Sequence, residues 1–467
     1  MTLYSSTRGQ VKNLLFEEAV MMGLADDRGL LVPSEFPDVR SKLQEWSSLD
    51  FTDLSLEIMQ LFTSGKIPRD ELKLLIDRSY KTFRHPEITP VNSVGGIHIL
   101  ELFHGPTFAF KDVALQFLGN LFEYFLDKRH HPLRIIGATS GDTGSAAING
   151  LQGKIGVDVF MLHPKGRISP IQEMQMTTVL DPNIHNLAIE GTFDDAQMIV
   201  KALFNDHEFK KRYFLGSVNS INWARILAQI VYYFYAWFRV VKSSHELLSF
   251  VVPTGNFGNV LAGYYSKCMG LPIDKLVIGT NENDILHRFF TKGEYHKTEL
   301  KKTFSPSMDI QISSNFERYL FDLAEKSSEK LQHWMESFEL TGKLTIEGEF
   351  LKNAQSDFAS ASVSDEEIIR TIRNFHQQNG YLLDPHTAVG ITAAKKADIQ
   401  TPVTCLACAH PAKFNETVRK ALNIEVELPE ELAVLKNLET NCKTVPANVE
   451  IIKNEILETI NKQSFLP

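Results

Sequence analysis

The chain has 467 residues, 43% of them hydrophobic, and a formal charge of −9; that length buries a large core and divides into two or three domains. The negative balance argues against a broad nucleic-acid surface and leaves room for a local basic site, such as one for a phosphorylated ligand. Four cysteines, Cys268, Cys405, Cys408 and Cys442, are too few for a disulfide scaffold, and the first residues carry no apolar signal core, so a cytoplasmic, reducing location is expected.

Residues 1–95 read as mostly helical, with apolar residues at helical spacing over 51–63 and 70–83 and breaks at Gly65 and Pro68. From about Ile97 the rhythm changes to short apolar runs alternating with helices. Strands are expected at 133–137, 157–162, 186–189, 248–252, 275–279 and 403–406. Such alternation predicts an α/β fold of parallel sheets with helices on both faces. The most hydrophobic stretch, 226–241, is interrupted by Gln229 and Arg239 and falls short of the roughly 20 apolar residues a bilayer span needs. It reads as a helix buried among others, its aromatic residues at 232–238 as core, and no membrane partner is expected. The stretch 281–345, with Lys301 and Lys302, reads as a polar helical insertion with a solvated charged face.

Three segments carry chemistry. In Phe103-His104-Gly105-Pro106-Thr107-Phe108-Ala109-Phe110-Lys111-Asp112, Lys111 opens an apolar helix after a loop punctuated by Gly105 and Pro106. Enclosure and the positive end of the helix dipole both favour its neutral amine, and lysine is the side chain that forms Schiff bases with pyridoxal phosphate. Alone, a lysine in a first helical turn is an ordinary surface residue. The second segment, Pro253-Thr254-Gly255-Asn256-Phe257-Gly258-Asn259, joins a strand to a helix, so its backbone N–H groups can close around a phosphate. No Gly-x-Gly-x-x-Gly and no Gly-Lys-Ser/Thr occurs, which removes the usual dinucleotide and nucleoside-triphosphate fingerprints. The third, 135–147, passes from strand through Thr139-Ser140-Gly141-Asp142-Thr143-Gly144 into a helix of small residues. Its hydroxyls and free amides suit a carboxylate.

In this order the three segments resemble the threonine synthases, within the fold-type II, tryptophan-synthase-beta-like, pyridoxal-phosphate-dependent enzymes. The resemblance runs along almost the whole chain. It includes Ser6-Thr7-Arg8-Gly9, Gly29-Leu30-Leu31-Val32-Pro33, His163-Pro164-Lys165-Gly166-Arg167-Ile168-Ser169-Pro170, the run from Asn219 to Gln229, Asp384-Pro385-His386-Thr387-Ala388-Val389 and Ala409-His410-Pro411-Ala412-Lys413-Phe414. It implies an N-terminal domain over 1–95, a large cofactor-binding domain from 96–137 and 217–467 that holds the insertion, and a small mobile substrate domain over 138–216.

The implied activity converts O-phospho-L-homoserine and water to L-threonine and phosphate, by γ-elimination and β-addition of water. The resemblance makes Lys111 the lysine that carries the cofactor and then shuttles protons. It assigns the cofactor phosphate to Gly255, Asn256, Phe257, Gly258 and Asn259. The group facing the pyridine nitrogen is usually threonine in this family; here it is Cys408, a weak hydrogen-bonding thiol. Paired with Cys405 alone it lacks the further ligands of a zinc site, so no metal is expected. The substrate carboxylate is assigned to Thr139, Ser140 and Thr143, with Asp142 orienting the loop or approaching the cofactor. The substrate phosphate is assigned to Arg225, with Asn219 and Ser220 before it and Lys165 and Arg167 as further cations; a structural ion pair is the competing role for Arg225. His104 and His410 are expected to be structural hydrogen-bonders. A phospho-lyase that releases 2-oxobutanoate, a non-catalytic binding protein on the same scaffold, and a monomeric or homodimeric state all remain open at this point.

Overall fold

The computed structural model describes residues 2–129, 131–243 and 245–463. The chain divides into two compact units, Met1–Ala114 with Ser220–Glu427, and Leu115–Asn219 with Leu428–Pro467.

The first unit is built on a six-stranded sheet in the order Phe358–Ser362, Ile273–Thr280, Leu248–Pro253, Val403–Ala407, Ile97–Glu101 and Val91–Val94. Neighbours are parallel except the last pair, an antiparallel hairpin. Leu248–Pro253 is buried along its whole length, the mark of a strand covered on both faces. Helix Trp223–Val240 is buried from Trp223 through Trp237. Its rings meet others from the N-terminal region: Phe51 lies edge-on to Tyr235 with centroids 5.4 Å apart, and Phe36 packs at 6.2 Å from Trp223 while stacking on Tyr265 at 4.2 Å. The hydrophobicity of 226–241 is thus spent on the core. Among the described residues no helix is long and apolar enough to cross a membrane.

The N-terminal region forms helices Phe51–Phe62 and Arg69–Tyr80 and an antiparallel pair of Tyr4–Ser6 with Leu31–Pro33. Buried Glu317, on helix Phe316–Leu323, accepts from the Thr7 hydroxyl at 2.7 Å and pairs with Arg8 at 3.2 Å. Segment 281–345 is more than a polar insertion. Lys301 and Lys302 are exposed, as a solvated face requires, yet Asn281, Asn283, Thr303, Ser313, Asn315 and Arg318 are all buried.

The second unit is an all-parallel five-stranded sheet in the order Lys443–Pro446, Ile184–Glu190, Val157–Pro164, Leu133–Ala138 and Leu215–Gly216. Its limits differ from the expected 138–216 in two places. Leu133–Ala138 hydrogen-bonds to Val157–Pro164 and Leu215–Gly216, so it belongs to this sheet rather than to the larger unit. The C-terminal segment returns to add an edge strand, and Ile452, Ile456 and Ile460, at helical spacing, pack into the core with Phe160, Leu162 and Leu187. The boundary implied by the resemblance leaves out a partner more than 200 residues away in sequence.

Helix Lys111–Asp127 meets helix Asp142–Leu151 backbone to backbone: a Cβ on Gly119 would stand 2.0 Å from the carbonyl oxygen of Gly150. Backbone oxygen cannot swing aside, so the Gly119→Ala variant must part the helices. Overpacking of this kind costs about 1–3 kcal/mol, more than the ~1 kcal/mol that alanine gains over glycine in a helix. Gly119→Ala is expected to lower the denaturant midpoint of unfolding, measured by far-UV circular dichroism.

Candidate active site

Within the first unit, three candidate segments leave the carboxyl ends of three neighbouring parallel strands. The loop to Lys111 follows Ile97–Glu101, Cys408 follows Val403–Ala407, and the 253–258 loop follows Leu248–Pro253. The carboxyl edge of a parallel sheet is where α/β folds place ligands. The Lys111 and Cys408 segments are stitched together by the backbone. Phe110 N–H donates to the Cys408 carbonyl at 2.8 Å, and His410 N–H donates to the Phe108 carbonyl at 3.1 Å.

Lys111 opens its helix and is only 9% exposed, its ammonium position 4.7 Å from the centroid of the Phe110 ring. Asp112 beside it is fully buried. Its carboxylate accepts from the Thr107 N–H at 2.7 Å and the Thr107 hydroxyl at 2.6 Å, while Lys413 Nζ donates to the Thr107 carbonyl at 2.8 Å. Burial pushes the Asp112 carboxyl up to about 6, against the pull of the Thr107 donors and the Lys413 charge. This buried acid and base close the loop that delivers Lys111.

The 253–258 loop turns its carbonyls away. Gly255 O accepts from the Ser313 hydroxyl at 2.6 Å, and Asn256 O accepts from the Asn315 N–H at 3.1 Å and its side-chain amide at 3.0 Å. Ser314 donates to Asn256 Oδ1 at 3.1 Å. Phe257 then adopts a left-handed φ of 61° as the cap of helix Gly258–Cys268. Among the described residues none accepts from the N–H groups of Gly255, Asn256, Phe257 or Gly258. Gly255 has no room for a side chain, since a Cβ would stand 3.0 Å from the Ser307 carbonyl oxygen. A rank of amides at a helix N-terminus, with the carbonyls tied back, fits a phosphate.

Asn259 is engaged differently: its Oδ1 accepts from Tyr232 and Tyr233, and its Nδ2 lies 4.0 Å from Cys408 Sγ. Arg225 sits in the first turn of helix Trp223–Val240, fully enclosed, and burial pulls its guanidinium down to about 10, still cationic near neutrality. Ser220 shares a hydrogen bond with Ser314 at 3.0 Å and accepts from Asn315. Both histidines are structurally engaged. His104 Nε2 lies 2.7 Å from Glu101, and His410 accepts from the Ala412 N–H while burial pulls its imidazole down to about 4.

In the second unit, Thr139 is buried and its hydroxyl accepts from Gly141 N–H at 3.0 Å and Gly144 N–H at 2.8 Å, holding the turn into helix Asp142–Leu151. Asp142 is buried and accepts from the Gln172 amide at 2.8 Å. Ser140 is exposed and Thr143 half-buried. Asn219 is also exposed, as are Lys165 and Arg167, which follow strand Val157–Pro164; Lys165 stands 3.9 Å from Glu190.

With this geometry in place, known proteins give a consistent answer. Residues 3–80 match the family description "Threonine synthase N terminus", 84–408 match "Pyridoxal-phosphate dependent enzyme" and 387–456 match "Threonine synthase, C-terminal". The threonine synthase of Schizosaccharomyces pombe is 49% identical, the alignment covering 98% of each chain. The chain belongs to the threonine synthase family. Its fold matches the pyridoxal-phosphate-bound threonine synthase of Brucella melitensis with a TM-score of 0.95 at 41% identity, covering 98% of this chain and 99% of that one. The yeast threonine synthase structure matches at 0.93 with 47% identity and the same coverage. Pyridoxal phosphate is the cofactor of this threonine synthase family member, which is a lyase of fold type II.

Residue patterns missed the supports of the site. Thr107, Asp112 and Lys413 lie inside motifs singled out for Lys111 and Cys408, and their adjacency to those two residues was the available signal. Ser313, Ser314 and Asn315 had none, because they sit in a polar stretch far along the chain. Asp112→Ala would remove the carboxylate to which both the Thr107 N–H and hydroxyl donate, at about 1–3 kcal/mol for each buried hydrogen bond lost. That variant is expected to unfold at lower denaturant than Asp112→Asn, which keeps one acceptor, and both should retain less cofactor after gel filtration.

Proposed function

We propose the following division of labour for the chain's activity, the synthesis of L-threonine from O-phospho-L-homoserine and water with release of phosphate. The observation that carries it is the meeting of Lys111, the amide-lined 255–258 loop and Cys408 along one edge of one sheet. Bound pyridoxal phosphate supplies the electron sink that makes the substrate's α- and β-protons removable and lets the γ-phosphate leave.

Lys111 carries the cofactor and, once the substrate amine has replaced it, takes and returns the proton at the substrate's Cα. Its near-complete enclosure favours the neutral amine that this work needs. The amides of Gly255 to Gly258 hold the cofactor phosphate and so position the ring without choosing the reaction. Cys408 meets the ring nitrogen as a neutral thiol, which leaves that nitrogen unprotonated, as a hydroxyl would. The helix start at Thr139 to Thr143 receives the substrate's α-carboxylate through amides and hydroxyls. Asp142, held by Gln172, orients that loop rather than touching a second carboxylate. Arg225, with Ser220 before it in the same unit, receives the substrate phosphate. An enclosed guanidinium gives the departing dianion a fixed fork of donors. The freed phosphate, a base near neutral pH, assists the addition of water at Cβ.

Lys111→Ala is expected to lose both the visible absorbance of lysine-bound cofactor and all measurable turnover; retention of either would remove Lys111 from its role. The wild-type protein, given O-phospho-L-homoserine, is expected to release L-threonine and phosphate in equal amounts, read by amino-acid analysis. Release of 2-oxobutanoate instead would identify a lyase that stops after elimination.

A further inference from the structure

Tyr232 and Tyr233 are fully buried, and burial holds both phenols well above their ordinary range, so both remain protonated donors. They converge on one side chain. The Tyr232 hydroxyl donates to Asn259 Oδ1 at 2.6 Å, and the Tyr233 hydroxyl lies 3.0 Å from the same oxygen and 2.9 Å from the Asn259 carbonyl oxygen. With its oxygen claimed on one side, the Asn259 amide turns Nδ2 to the other, where it donates to Cys408 Sγ at 4.0 Å. The Cys408 thiol itself donates to the Leu406 carbonyl at 3.7 Å. Asn259 is the second residue of helix Gly258–Cys268, directly after the glycine-rich loop, but its side chain serves a different partner from that of the loop's amides.

We propose that Asn259, clamped by Tyr232 and Tyr233, is a positioning residue for Cys408: its amide donates to Sγ and so fixes where the sulfur stands relative to the cofactor's ring nitrogen. The two tyrosines matter because they fix which end of the amide faces the sulfur. The inference rests on the reading that Cys408 faces the ring nitrogen, and it removes the Asn259 side chain from the set of phosphate donors.

Asn259→Ala, Cys408→Ala and the double variant form a cycle that separates the two roles, read in the holoenzyme as the rate of cofactor release on dilution and as the pH titration of the visible absorbance. Asn259→Ala is expected to speed release about fivefold and to displace the titration, and to add less than about twofold once Cys408 is alanine, as coupled neighbours do. Tyr232→Phe and Tyr233→Phe, which each remove only an oxygen atom, should shift the titration in the same direction; they run the same cycle if Asn259→Ala fails to fold. An undiminished effect of Asn259→Ala in the Cys408→Ala background would give Asn259 to the phosphate instead, and a wild-type release rate for Asn259→Ala would leave it no role in holding the cofactor. Either overturns the proposal. If Cys408→Ala alone changes neither readout, the placement of Cys408 at the ring nitrogen fails first, and the proposal fails with it.

Discussion

A single buried cation ties the cofactor side of the protein together. The Arg318 guanidinium is 0% exposed and donates twice to the Leu31 carbonyl, at 3.1 and 2.8 Å, and once each to the Ile221 carbonyl and Asn315 Oδ1, both at 2.6 Å. A buried charge without acceptors would cost several kcal/mol. Here three segments far apart in sequence must supply those acceptors, and each is thereby located. Asn315, held through its oxygen, spends its amide on the carbonyls of Asn256 and Ser220. The N-terminal region, the entry to helix Trp223–Val240 and the phosphate loop are in register because one guanidinium requires them to be. Burial pulls Arg318 down to about 10, which leaves it charged and the requirement in force near neutrality.

The site built on this frame stores strain at two places. Phe108 and Phe257 are large L-residues held at left-handed φ values of 59° and 61°, which costs on the order of 1–3 kcal/mol each. Surrounding packing over-determines both. Phe108 lies between the His410 ring, at 5.5 Å, and the Arg84 guanidinium, at 3.7 Å, while Phe257 packs against Phe290, Phe316, Tyr319 and Phe358. The aromatic wealth of segment 281–345 has this use. One strained turn leads to Lys111 and the other opens helix Gly258–Cys268, so both candidate segments sit at the ends of rigid and costly backbone.

Much of this was legible along the chain. Gly, Pro and Asn punctuation located the loops, short apolar runs located the strands to within a few residues, and the setting of Lys111 marked it out. The unread part has a common physical cause. Periodicity reports that a side chain is buried and says nothing about what its polar atom does there, so Tyr232 and Tyr233 read as core although their hydroxyls hold Asn259. Composition averages over a segment, so the polar character of 281–345 hid Asn315 and Arg318 in its interior. Domain limits taken from the family resemblance also missed pairings such as Val445 with Ile189, which only the folded chain brings together.

That last pairing bears on how the protein is made. Neither unit is continuous: each begins in one part of the chain and is completed by another. As the chain leaves the ribosome, residues 115–219 emerge with strand Ile184–Glu190 still lacking its outer neighbour and the site later filled by Ile452, Ile456 and Ile460 still open. An uncovered parallel edge beside exposed apolar surface is prone to pairing with other chains. More than 200 further residues must be synthesised before Lys443–Pro446 arrives to cap it. The smaller unit therefore closes only once residues 443–446 have been made, long after its other four strands.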